Sequence, residues 1–188
     1  ILPLTDEQIV QAAQSYPTIQ EELRLQLGNV VATIPGNQYL SPWQQFALNI
    51  LNESIDERPI YFASSGNNAS ALGLQDYLIR EGLAFRVHNG PPAEAGGGVV
   101  PLNQSPFTPV TGDWLEVERT RVLLEEVFIH RSGLPDEWDH WPDLATVGIP
   151  TYYGWSYLAL AQAAVQAGDR AALDRYQARA EAWSELGL

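Results

Sequence analysis

The chain has 188 residues, 45% of them apolar, enough for one domain, or one domain with a small appendage, around a packed core. It has no Cys, Met or Lys, and all ten of its basic residues are Arg. This excludes disulfides, thiol nucleophiles, iron–sulfur clusters, Cys-based zinc sites, a P-loop lysine and Schiff-base chemistry. A formal charge of −13 leaves no positive footprint for nucleic acid or an anionic membrane surface.

In chain order, Thr5 and Gln8 form a capping box that opens a helix over residues 5–15, and Pro17 ends it. Residues 23–34 alternate through Leu23, Leu25 and Leu27 as a strand bent at Gly28-Asn29, and Pro35-Gly36-Asn37 is a turn. Ser41, Pro42 and Gln44 are the N-cap, N1 and N3 signals of a helix over 42–54. Arg58 to Ser64 reads as a short buried strand, and Ser64 to Asn68 as a polar loop. Residues 69–81 read as a helix carrying Leu72, Leu74, Tyr77 and Leu78, stopped by Gly82, with a strand over 83–88. Together 58–88 make a βαβ unit, most simply a right-handed parallel crossover.

Residues 89–112, rich in Pro and Gly, form a long loop. Asp113 and Glu116 cap an expected helix over 114–130, and 131–150 is irregular and rich in acids and Trp. Thr151 caps a helix to Ala167, Gly168-Asp169 stops it and caps the next, and Arg170 to Leu186 completes a tetratricopeptide-like hairpin. The fold expected is α/β. A small mixed sheet on strands 23–34, 58–64 and 83–88 is covered by helices in an α/β domain over 1–150, and the hairpin of 151–188 docks on it.

The elements RPIYFA (Arg58 to Ala63), GLQDYL (Gly73 to Leu78) and EGLAFR (Glu81 to Arg86) resemble part of a bacterial family of polytopic membrane proteins related to eukaryotic protein O-mannosyltransferases. In that family a multi-spanning catalytic half precedes a soluble tail, and tetratricopeptide-like helices often follow. The resemblance implies that this chain is the extracytoplasmic tail of a membrane glycosyltransferase, with its own membrane-embedded half as partner and no catalytic residue or cofactor in this piece. It departs from the family pattern in 89–150. The missing Met marks Ile1 as a cut end, and the Arg bias points to a GC-rich bacterium.

The candidate ligand-binding residues fall in two groups. Arg58 and Arg86 flank the βαβ unit, where they would either clamp a sugar phosphate or pair with Asp76 or Glu81. Asn67 and Asn68 belong to the loop at the carboxyl end of a strand, a position where ligands sit in α/β proteins, and Tyr61 and Tyr77 are further candidates on the elements before and after it. Trp138, Trp141, Tyr153 and Trp155, with Tyr152, lie among acids, a composition that either holds a glycan or peptide or fixes the hairpin to the domain.

His130, Asp136, Glu137, Asp139 and His140 fit no compact metal motif, so no metal is expected. No carboxylate pair or nucleophile elbow stands out. The sequons at Asn52, Asn68 and Asn103 read as chance matches. The expected function is a non-catalytic accessory domain positioning an acceptor or partner. The alternatives are a protein–protein adaptor using the hairpin and a stand-alone sugar-active enzyme.

Overall fold

A computed structural model describes residues 5–63, 68–102, 114–128 and 133–187. It is a mixed α/β fold with a C-terminal helical hairpin. Five strands form one mixed sheet in the order β5-β7-β6-β9-β8: β5 is Ile60–Ala63, β6 Leu78–Glu81, β7 Ala84–Val87, β8 Val99–Pro101 and β9 Trp114–Glu116. The chain forms two compact units, one of residues 1–78 and 86–95, the other of 79–85 and 96–188.

The first unit opens with α1 (Asp6–Gln14) and the capping box read from the sequence. The Thr5 amide donates to Gln8 Oε1 at 2.7 Å, and the Gln8 amide donates back to Thr5 Oγ1 at 3.3 Å. Strand β1 (Thr18–Ile19) pairs with β4 (Gln38–Tyr39). The strand expected over 23–34 is instead a hairpin forming its own two-stranded sheet, β2 (Leu23–Leu27) against β3 (Val30–Ile34). Its two-residue turn is Gly28-Asn29, with Gly28 at φ +57°, a geometry that favours glycine at such turns. Leu27, Val30, Ala32 and Ile34 of the hairpin are buried.

Helix α2 (Pro42–Ser54) starts where Ser41, Pro42 and Gln44 place it. Gln44 Oε1 accepts from the Ser41 amide at 2.9 Å, while its Nε2 donates to Ala71 O at 2.9 Å, so the capping residue also ties down a distant loop. Gln45 donates to Ser15 O at 2.8 Å, joining α1 to α2.

The helix expected over 69–81 is reduced to α3 (Asn68–Ala71) and a 3-10 turn at Gln75–Tyr77, and residues 78–81 become β6. The β–α–β order along the chain remains. All four residues of β6 are buried. A strand covered on both faces shows no alternation, so its apolar residues pass for one helical stripe. Gly73 breaks any helix here: at φ +68° its carbonyl accepts from the Thr33 amide at 3.3 Å.

In the second unit β6 runs parallel to β9, with Arg80 opposite Leu115, and β8 runs antiparallel to β9. The helix expected over 114–130 begins as β9, continues as α4 (Val117–Val122) and ends in a π-helical turn over Leu123–Val127. Glu116 is its N-cap and accepts from the Arg119 amide; Asp113 lies outside the described residues. The long loop contributes β8 and a 3-10 turn at Pro92–Glu94.

Helix α5 (Gly148–Ala167) starts three residues before the expected Thr151 cap, whose hydroxyl bonds to Val147 O at 3.5 Å. Gly168 ends α5 in the left-handed conformation, and Asp169 caps α6 (Arg170–Leu186) by accepting from the Ala172 amide at 2.9 Å. Buried Ala159, Ala163 and Ala180 let the two helices approach, and Leu160, Tyr157, Tyr176 and Trp183 fill the space between them, joined by Leu115 and Leu124.

An added Cβ at Gly73 would lie 2.0 Å from Thr33 O. Gly73→Ala is expected to lower stability by about 2 kcal/mol or more, combining backbone strain with that collision. Gly97→Ala meets nothing within 4 Å and should stay within about 0.5 kcal/mol of the parent. Chemical denaturation of both variants checks the contrast.

Candidate functional site

The βαβ candidates are spread over several elements. Arg58 is exposed and pairs with Glu57 at 3.8 Å, not with Asp76 or Glu81. Tyr61 is half exposed on β5, Asp76 is exposed in its 3-10 turn, and Arg86 is half-buried on β7. The Tyr77 hydroxyl accepts from the Val31 amide at 3.2 Å, which gives it a structural task. Asn68 opens the four-residue α3, too short to focus charge on an anion. Asn67 lies outside the described residues.

The aromatic group divides in two. Tyr153 stacks on Trp183, ring centroids 4.2 Å apart and 13° between planes, and meets Phe128 edge-on at 6.2 Å. Burial, and then the charge of Tyr157, push its phenol pKa up. The stack lies within the hairpin, and the Phe128 contact ties α5 to the segment after the π-helical turn. Trp155 packs edge-on against Tyr152 at 5.3 Å on α5 itself.

Trp138 and Trp141 take a different position. Their rings lie 6.0 Å apart at 40°, and Trp138 borders a cavity of about 370 Å³ shared with Pro135, Asp136, Asp139, Ala182, Glu185 and Leu186. Two chain segments make this cavity, the irregular stretch after Gly133 and the last turns of α6. The Trp141 amide donates to Leu186 O at 3.1 Å. The Trp141 indole donates to Thr146 Oγ1 at 2.9 Å, and that hydroxyl donates to Asp143 Oδ2 at 2.9 Å.

Opposite, Arg179 of α6 grips both oxygens of Asp136 from one nitrogen, at 2.8 and 3.0 Å. Burial lowers the Arg179 pKa, but hydrogen bonding and charge from Asp136, then Tyr157, raise it overall. The walls are therefore fixed before any ligand arrives. An indole face beside carboxylates can hold sugar hydroxyls or a cation.

Among the described residues no three His, Asp or Glu are placed to hold a metal. His130 lies outside them, and Asp136 is occupied by Arg179.

One notable residue was missed from sequence. Arg80, in the middle of β6, is 1% exposed. Its guanidinium lies 4.6 Å from the Phe85 ring centroid and donates to Ser156 Oγ at 3.2 Å, while its Nε has no hydrogen-bond partner. Burial pushes its pKa down to about 10, against a small upward pull from Tyr152. Ser156 donates in turn to Gly82 O or Tyr152 O, both at 2.9 Å, and Thr120 Oγ1 accepts from the Gly82 amide at 3.0 Å. The available signal was weak, since Arg80 stands beside a second charge, Glu81, in the four-residue run from Leu78, and both are buried.

The family model described as TMEM260-associated domain 2 matches residues 2–95, half of the chain, and the chain belongs to that family. No curated protein and no solved structure matches it. The segment Arg58 to Arg86 falls inside the matched span, and the Trp138 cavity lies beyond it.

A guanidinium whose pKa falls on folding opposes stability at neutral pH, and the cost is relieved only as pH rises through about 10. Arg80→Met removes that cost and leaves Ser156 with its carbonyl partners, so its stability should match the parent within about 1 kcal/mol or exceed it. Ser156→Ala strands the buried Arg80 donor and should cost about 1–3 kcal/mol. Denaturation midpoints of the two variants decide this.

Proposed function

We propose that this chain is a non-catalytic accessory part of a membrane glycosyltransferase-like protein, placed on the outer side of the bacterial cytoplasmic membrane, where it positions an acceptor or partner for the membrane-embedded half. The observation that carries the reading is membership of the TMEM260-associated family over residues 2–95. It agrees with the resemblance of Arg58 to Arg86 to the tails of O-mannosyltransferase-related membrane proteins. No described helix is long and apolar enough to cross a membrane; in this reading the other half crosses it. The preformed Trp138 cavity supplies a place where a short stretch of acceptor or partner can be held.

A second reading is an adaptor acting through the α5–α6 hairpin. It is supported by an open depression of about 210 Å³ at the hairpin turn, lined by Ala164, Val165 and Leu173, with Val165 60% exposed.

The native protein, detected with an antibody to this chain, is expected in the membrane pellet at a size well above that of 188 residues and cut by protease added from outside. The purified chain should transfer no sugar. A soluble native protein of the chain's own size, or sugar transfer by the chain alone, overturns the reading. Loss of peptide binding on Val165→Asp, with Trp138→Ala silent, would favour the adaptor.

A further inference from the structure

We propose that the Trp138 cavity binds the guanidinium or ammonium group of a basic side chain presented by a polypeptide. The inference rests on the accessory reading above and adds the chemistry by which an acceptor or partner is recognised.

Charge bookkeeping at the walls carries it. Three carboxylates line the cavity, those of Asp136, Asp139 and Glu185, and no lining residue is cationic. Arg179 pairs with Asp136. Asp139 and Glu185 have no ion-pair or hydrogen-bond partner among the described residues. Two uncompensated negative charges therefore share one concavity with an indole.

An anionic ligand meets repulsion there. A neutral sugar meets acceptors that it can satisfy, but it leaves both charges uncompensated. A cation pairs with both carboxylates and lies against the Trp138 ring, so the two attractions act together. The net charge of −13 draws such a ligand in over a longer range.

The form of the ligand follows from the shape. Among the lining residues Asp136, Asp139 and Glu185 are exposed, while Pro135 and Leu186 are buried. A long side chain can lay its methylene stem against Pro135 and Leu186 while its charged head meets the exposed carboxylates. The Trp138–Trp141 pair and the Trp141–Leu186 hydrogen bond at 3.1 Å hold the wall in place, so little order has to be created on binding.

The test titrates the 188-residue chain with a short capped peptide bearing one arginine, and with the same peptide carrying uncharged citrulline in its place. The readout is the indole N–H resonance of Trp138, assigned with Trp138→Ala. The arginine peptide should shift that resonance saturably. Citrulline should weaken binding about tenfold, as should the double substitution Asp139→Asn, Glu185→Gln, and added salt should weaken it further. Both substituted residues are exposed, so the double variant should keep the parent's near-ultraviolet circular dichroism. Three outcomes would overturn the proposal: equal binding of the citrulline peptide, no shift at millimolar arginine peptide, or a shift by a neutral mannose oligosaccharide that survives the double substitution. Membrane fractionation of the native protein is independent of all three, so the two proposals fail separately.

Discussion

The stack of Tyr153 on Trp183 is the contact on which the second unit depends. Trp183 is 1% exposed and lies nearly parallel to Tyr153. A buried aromatic pair of this kind contributes both its area and a stacking term. It joins the early part of α5 to the last turns of α6, the part of the hairpin farthest from the Gly168 turn. Everything at the cavity follows from where α6 then lies. Its Arg179 holds Asp136, its Leu186 carbonyl holds the Trp141 amide, and its Ala182 and Glu185 complete the wall. The same aromatic-rich stretch of sequence thus serves two purposes. Tyr153 is spent on packing, and Trp138 is left at an opening.

The interior of that unit is less economical than its helices suggest. A buried guanidinium with an unpartnered Nε sits in β6 and is only partly compensated by Ser156 and the Phe85 ring. Its hydrogen-bond partner, Ser156 of α5, also reaches the Gly82 carbonyl, and the Gly82 amide donates to Thr120 of α4, so three separate segments meet at this node. Such a polar node favours one arrangement of those segments over slipped alternatives, because any shift would strand a charge in apolar surroundings.

The first unit carries most of the family match and is held by short polar ties between its elements. Gln44 spans Ser41 and Ala71, Gln45 spans Ser15 and Leu40, and Tyr77 reaches Val31. Two of the residues that looked like ligand contacts in the sequence have partners of their own. Tyr77 is a strut, and Arg58 is a surface ion pair with its neighbour. The candidate site therefore moved from the βαβ segment to the Trp138 cavity, which sequence had marked only as a choice between packing and recognition.

What the sequence determined is what short-range chemistry decides. Thr5 with Gln8, Ser41 with Pro42, and Gly168 with Asp169 set helix ends within a few residues, where side chains meet orphan backbone groups regardless of the rest of the fold. Composition likewise set the acidic surface and the absence of cysteine and lysine chemistry. The tertiary structure decided the elements whose identity depends on what covers them. Leu78 to Glu81 is a strand because β7 and β9 pair with it, and burial of all four residues erases the alternation that would have announced it. The bend expected at Gly28 is a hairpin turn because Leu23 to Leu27 find their partners in Val30 to Ile34. Which aromatic packs and which lines a cavity was settled only by the phase of α5 and the end of α6, since a side chain's neighbours across a helical hairpin are set by packing geometry and not by its place in the chain.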